Sequence, residues 1–95
     1  MITQMHVGFR VEDYERWKAG YDASIEQRKA AGEISFAVYR NADDPNIVTV
    51  VSEQESAERL LEFFNSPDLQ EKMKAAGIVE MGANLLVEEM DRGVH

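Results

Sequence analysis

Two side chains on predicted strands are candidates for moving protons. His6 is the one histidine inside a predicted regular element, and Tyr39 lies near the end of another. A histidine exchanges protons near neutral pH, and a tyrosine hydroxyl holds or donates a proton. We therefore interpret His6 and Tyr39 as catalytic candidates. For His6 the alternative is a structural role on a strand.

Aromatic residues form a stripe along the first predicted helix. Tyr14, Trp17 and Tyr21 are three and four residues apart, so they share one helical face. Such a stripe is either ordinary core or the wall of a site for a flat apolar molecule. In the second interpretation the residues that bind substrate are Trp17, Tyr21, Phe36, Arg40 and Phe64, with His6 and Tyr39 as polar candidates. The sequence does not decide which parity of each strand faces the helices, so this set combines two possible linings.

Arg40 is the cation among these candidates. A guanidinium can hold a carboxylate or an enolate oxygen. The alternative is that Arg40 pairs with Asp43 or Asp44 in the loop that follows it.

The sequence contains no recognisable set of metal ligands. Cysteine is absent, and the second histidine, His95, is the last residue. Glycine loops for phosphate and nucleophile elbows are absent as well. We expect no metal and no cofactor.

Hydrophobic periodicity predicts the elements that must position these residues. A period of two indicates strands, and spacings of three and four indicate helices. Ser56 and Ser66 are expected to begin helices, and Gly32 and Gly77 to end them. The predicted strands cover residues 4–11, 34–40, 47–52 and 84–90, with a helix after the first strand and two helical pieces after the third.

This order, β-α-β-β-α-β, predicts a ferredoxin-like α+β fold. Right-handed crossovers place the helices on one face of a four-stranded antiparallel sheet. Residues 47–51 are nevertheless apolar at nearly every position, which is typical of a strand buried on both faces. A second copy of the chain would cover the other face. The alternative is that this strand is apolar only because it is central.

Size and charge narrow the class of protein. A length of 95 residues suits one domain, residues 1–95, and the formal charge is −8. Nucleic-acid binding requires clustered basic residues, which are absent here, so we expect no nucleic-acid partner. Apolar runs are too short to span a membrane, and no secretory signal is visible. We expect a cytoplasmic protein.

The sequence also contains motifs that resemble a known group of proteins. They are VEDY at 11–14, WK at 17–18, YD at 21–22, RNADDPN at 40–46, SPDL at 66–69 and KMKAAG at 72–77. Together they resemble small proteins of the dimeric α+β barrel superfamily, which includes cyclase-like and antibiotic-biosynthesis-monooxygenase-like members. The resemblance implies a ferredoxin-like fold and a homodimer that forms a barrel. The superfamily includes cofactor-free monooxygenases, polyketide cyclases and isomerases, and by analogy with its haem-degrading members haem is an alternative cofactor.

Two classes of function remain open. The first is a homodimeric enzyme, a cofactor-free monooxygenase or a cyclase or isomerase, that acts on an aromatic or polyketide-like molecule. The second is a non-catalytic ligand-binding or stress-related dimeric module. A structural dimer without a pocket is a third reading. The sequence does not decide whether the protein is an enzyme.

Overall fold

The computed structural model describes residues 3–95, with the side chain of Ala83 excepted, and alternates strands and helices in the predicted order. The strands are β1 (Thr3–Val11), β2 (Glu33–Arg40), β3 (Ile47–Gln54) and β4 (Ile78–Glu88). The helices are α1 (Tyr14–Ala23), α2 (Ile25–Ala30), α3 (Ala57–Phe64) and α4 (Pro67–Ala75). Among these described residues, no helix is long and apolar enough to cross a membrane.

The four strands form one antiparallel sheet in the order β2-β3-β1-β4. At its centre, Val7 of β1 lies between Val50 of β3 and Asn84 of β4. This topology confirms the predicted ferredoxin-like α+β fold.

One face of the sheet packs against the helices. The alternate residues of β1 from Met5 to Val11 are buried, as are Val48 and Val50 of β3. Trp17 of α1 contacts this layer, with its ring centroid 5.2 Å from that of Phe9. The core therefore lies between the sheet and the helices.

The opposite face, which we call the open face, has no cover from the described chain. It carries His6, Val51 and Leu85, which are aligned across three strands. Tyr39 and Leu85 are 57% and 55% exposed. Burial therefore alternates along β1 and β3, and the homodimer that would cover the open face remains a prediction.

Side-chain caps begin α1 and α3, and glycines follow the ends of α2 and α4. The Asp13 carboxylate accepts a hydrogen bond from the Glu15 N–H at 3.0 Å, and the Ser56 hydroxyl accepts one from the Arg59 N–H at 3.2 Å. Gly32 and Gly77 follow α2 and α4 with φ values of 101° and 89°, which favour glycine. These boundaries agree with the predicted starts and stops.

The two largest differences from the sequence prediction are in the first helix and the last strand. The first helix is interrupted at Ser24, whose hydroxyl donates to the Tyr21 carbonyl at 2.7 Å. The last strand begins at Ile78 rather than at residue 84. Gly82 obscured this start, because it lies in an irregularity of β4 beside Gly8 rather than in a turn.

Candidate functional site

A cavity of about 550 Å³ lies between the helices and the sheet. Its floor contains Met5, Val7 and Phe9 of β1, and its walls come from all four helices. Pockets for small molecules occupy roughly 300–1,000 Å³ and are mostly apolar with a few polar groups. The cavity has the size and lining of a small-molecule site, so the reading of a filled core without a pocket is not supported.

Aromatic rings of α1 form one wall of the cavity. The rings of Trp17 and Tyr21 are stacked, with centroids 5.0 Å apart and planes inclined by 24°. Tyr14 continues the row outside the lining, with its centroid 5.9 Å from that of Trp17. The helical spacing of these residues thus presents two flat aromatic groups to a bound molecule.

Arg28 and Glu33 form a buried ion pair at the edge of this wall. The Arg28 Nη1 atom donates to Glu33 Oε2 at 2.6 Å, and both side chains are 8% exposed. The guanidinium carbon also lies 3.7 Å from the centroid of the Tyr21 ring. Both residues line the cavity, so its polar end contains two opposite charges that neutralise each other.

The other donors of Arg28 hold the break between α1 and α2. Nε donates to the Ser24 hydroxyl at 3.0 Å, and Nη2 donates to the Tyr21 carbonyl at 3.0 Å. That carbonyl is near the end of α1, where carbonyl groups lack partners within the helix. Arg28 therefore fixes the position of Tyr21 through its backbone as well as its ring.

Two polar atoms of the lining residues have no hydrogen-bond partner among the described residues. They are the hydroxyl oxygen of Tyr21 and the amide oxygen, Oε1, of Gln54, and both are buried. The Gln54 amide nitrogen donates to the Ser52 hydroxyl at 2.7 Å. Buried polar atoms are nearly always paired, so each of these two atoms marks a position that a water molecule or a polar group of a ligand would satisfy.

Burial changes the protonation of two groups here. It raises the pKa of the Tyr21 hydroxyl to about 12, although the nearby Arg28 guanidinium acts in the opposite direction. Burial likewise raises the pKa of the Glu33 carboxyl above its ordinary value, again against the effect of Arg28. At neutral pH Tyr21 is consequently a protonated donor, and Glu33 binds a proton more readily than an exposed glutamate.

The structure places three of the predicted substrate-binding residues together. Trp17, Tyr21 and Phe64 all line the cavity. Phe36 lies behind Tyr21, with an edge-to-face contact between centroids 5.7 Å apart. Phe36 therefore supports the wall from the neighbouring strand.

Arg40 lies outside the cavity lining, with its guanidinium carbon 4.5 Å from the centroid of the Tyr14 ring. The expected pairing of Arg40 with an aspartate of the hairpin is wrong. Asp44 instead accepts a hydrogen bond from Arg10 at 2.9 Å. The reason is strand alternation, because Arg40 is paired with Val48 and shares its helix-covered face.

His6 and Tyr39 lie on the open face, away from the cavity. His6 Nε2 is 3.1 Å from the amide oxygen of Gln4, and its neighbours across the strands are Val51 and Leu85. Tyr39 is paired with Thr49. The two catalytic candidates thus face away from the aromatic wall, and their predicted role in catalysis stays a prediction.

Sequence reasoning missed the four polar residues Arg28, Glu33, Ser52 and Gln54. A signal was present for three of them. Arg28 follows Tyr21 by seven residues and so continues the aromatic stripe, while Ser52 and Gln54 continue the buried alternation of Val48 and Val50. Polar residues at positions whose pattern predicts burial are therefore the feature to look for.

Among the described residues, no group of three or more histidine and acidic side chains could hold a metal ion.

Comparison with solved structures confirms the fold that the motifs implied. A candidate antibiotic biosynthesis monooxygenase from Bordetella bronchiseptica is 20% identical, with a TM-score of 0.78 over 94% of this chain and 97% of that one. SnoaB, a cofactor-independent oxygenase from Streptomyces nogalater, is 9% identical, with a TM-score of 0.74 over 96% and 95%. A candidate monooxygenase from Nitrosomonas europaea is 15% identical, with a TM-score of 0.71 over 94% and 90%.

No protein-family model and no curated protein matches the sequence. At these identities the structural likeness shows a shared fold, of the antibiotic-biosynthesis-monooxygenase type, and leaves activity open.

Proposed function

We propose that this chain is a homodimeric protein that binds a flat aromatic or polyketide-like molecule between its helices and sheet, and oxygenates it without a cofactor. The observation that carries the proposal is the cavity of about 550 Å³, with stacked Trp17 and Tyr21 on its wall. Its lining residues Tyr21 and Gln54 each have a buried polar atom without a partner in the described part of the chain. The similarity of fold to SnoaB, described as a cofactor-independent oxygenase, supports the choice of chemistry.

The substrate itself must supply the electrons in such a reaction. An acidic C–H group between two aromatic rings, conjugated through them with a carbonyl, loses a proton, and the resulting enolate reduces O₂. The carbon then carries a hydroperoxide, which loses water and leaves a new carbonyl group. One O₂ is consumed, one of its oxygen atoms enters the product, and the other leaves as water.

Two groups at the cavity suit the proton steps. The Glu33 carboxylate accepts the proton, because burial has raised its pKa and hence its basicity. The Tyr21 hydroxyl remains protonated at neutral pH and donates a hydrogen bond to the enolate oxygen. Activity should therefore fall as the pH is lowered through the raised pKa of Glu33.

Oxygen uptake with anthrone, a flat enolisable ketone, tests this proposal. We expect one O₂ consumed per anthraquinone formed, at a rate above the buffer blank, and quenching of the Trp17 fluorescence when anthrone is added without oxygen. Tyr21→Phe should lower kcat by roughly 10- to 100-fold. The same change at Tyr39, on the open face, is the matched comparison. Loss of activity in Tyr39→Phe but not in Tyr21→Phe would move the chemistry to the open face and refute the proposal.

A non-catalytic binding module is the second candidate. The observation that favours it is the position of His6 and Tyr39, the predicted proton-transfer residues, outside the cavity. Tight binding of anthrone together with oxygen uptake no faster than the blank would select this candidate. None of the compared proteins described above is named as a cyclase, so cyclase or isomerase chemistry gains no support from them.

A further inference from the structure

Gln54 stands at the end of β3 on the face that the helices cover. The residue is 4% exposed and lines the cavity, and its Oε1 atom has no hydrogen-bond partner among the described residues. A buried amide oxygen without a partner costs free energy comparable to a lost hydrogen bond. A ligand that donates a hydrogen bond to Oε1 would recover that free energy.

In the structure the Gln54 amide is oriented with its nitrogen toward the Ser52 hydroxyl. The nitrogen Nε2 donates to the Ser52 hydroxyl at 2.7 Å, so the nitrogen is engaged and the oxygen is left. Ser52 is itself buried on the same face, two residues earlier on β3. This pairing makes the free atom an acceptor, which requires a donor on the ligand.

The charges beside Gln54 disfavour an anionic ligand. Glu33 is the residue paired with Gln54 across the two strands, and it places a carboxylate at this end of the cavity. The Arg28 guanidinium does not compensate for an incoming anion, because its nitrogens already donate to Glu33, Ser24 and the Tyr21 carbonyl. A carboxylate beside Gln54 would lose its hydration next to the Glu33 carboxylate.

We propose that Gln54 determines specificity in this cavity and selects uncharged aromatic ligands that carry a hydrogen-bond donor, such as a phenol, over the corresponding ethers and carboxylates. The inference rests on the proposed function, since it concerns ligands of the same cavity. Beyond that function, the inference specifies the polarity and charge of the ligand and the residue that selects for them.

Calorimetric titration with three sets of bicyclic probes tests the proposal on the full chain. The probes are the aromatic hydroxytetralones, their methyl ethers and the tetralone carboxylates, which share one ring system. For the best hydroxyl isomer we expect a Kd roughly ten-fold lower than that of its methyl ether, as for one hydrogen bond to an otherwise unsatisfied acceptor. The carboxylates should bind more weakly than the ethers.

Two variants connect the preference to the amide. Gln54→Met keeps the length of the side chain without its oxygen, and it should abolish the difference between hydroxyl and ether while the ether still binds. Ser52→Ala frees the amide to turn its nitrogen toward the ligand, so the preference should shrink several-fold. Gln70→Met makes the same replacement at an exposed site outside the cavity lining and should retain the wild-type preference.

Equal affinity for hydroxyl and ether probes in the wild type would overturn the inference and leave the proposed function intact. Carboxylates that bind as tightly as phenols would overturn it as well. If none of the probes, nor anthrone, binds to the wild type, both the inference and the proposed function fail.

Discussion

The Arg28 guanidinium is enclosed between the Glu33 carboxylate, 2.6 Å away, and the Tyr21 ring, whose centroid is 3.7 Å away. This arrangement joins α2 to the start of β2 and fixes the aromatic wall of the cavity. Since both side chains are buried, the attraction between the two charges is needed to offset the free energy lost when each charge leaves water.

Removing one partner of this ion pair should cost more stability than removing both. Glu33→Gln leaves the buried Arg28 without its counter-charge, and we expect a loss of about 3 kcal/mol in the free energy of unfolding. Arg28→Met should lose a similar amount, and the free energy of unfolding of the double variant should be closer to that of the wild type than either single variant is. Urea denaturation followed by Trp17 fluorescence measures all four proteins. Additive losses in the double variant would show that the two charges do not interact.

Tyr21 should make the protein less stable at alkaline pH. Its pKa is about 12 in the folded state and 10.0 ordinarily. Between these values the unfolded chain has released the phenolic proton that the folded chain retains, so the free energy of unfolding falls as the pH rises from about 10 to about 12. Tyr21→Phe should remove this part of the pH dependence. It should also remove the change in ultraviolet absorption that accompanies deprotonation of Tyr21 near pH 12. A wild type and variant with parallel pH profiles would contradict the assignment.

Gly82→Ala should destabilise the sheet. A Cβ at this position would lie 2.7 Å from the backbone oxygen of Gly8, which cannot move without disturbing β1. We expect a loss of roughly 1–3 kcal/mol, measured by thermal denaturation.

Gly20→Ala is the matched control for this substitution. Its Cβ would lie 3.5 Å from the Cβ of Ala76, an ordinary contact, so the variant should be more stable than the wild type by up to about 1 kcal/mol. Losses of equal size at Gly82 and Gly20 would mean that the close approach between β1 and β4 is not the cause.

Val51→Arg should separate the proposed homodimer. Val51 lies on the open face between His6 and Ala37, where a partner sheet would pack. An added charge in that layer would be buried without a counter-ion. Sedimentation equilibrium should show a dimeric wild type and a monomeric variant at micromolar concentration. Gln70→Arg adds the same charge on exposed α4 and should remain dimeric. A wild type that sediments as a monomer would refute the dimer.

The sequence predicted the fold well, because periodicity and capping residues are local signals. The alternation in β1, the Ser56 cap and Gly77 each require information from only a few neighbouring residues. The aromatic part of the site was accessible in the same way, since Trp17 and Tyr21 are four residues apart on one helix.

The polar part of the site could not be predicted in this way. Glu33 and Gln54 are neighbours only through the pairing of β2 with β3, and Arg28 reaches Glu33 around the end of a helix. Which parity of each strand faces the helices was also undecided, so residues from both faces were combined in one predicted lining. For this reason Tyr39, which lies on the open face, was grouped with residues of the cavity.

The side chains of β3 alternate between the cavity side and the open face of the sheet, so the strand contains two separate sets of positions. Val48, Val50, Ser52 and Gln54 belong to the cavity side, whereas Ile47, Thr49, Val51 and Glu53 belong to the other. Substitutions at Val50, Ser52 and Gln54, which line the cavity, should alter what is bound, and those at odd-numbered positions should alter self-association. A single eight-residue segment could then be varied in two independent libraries, each affecting one property and leaving its counterpart unchanged.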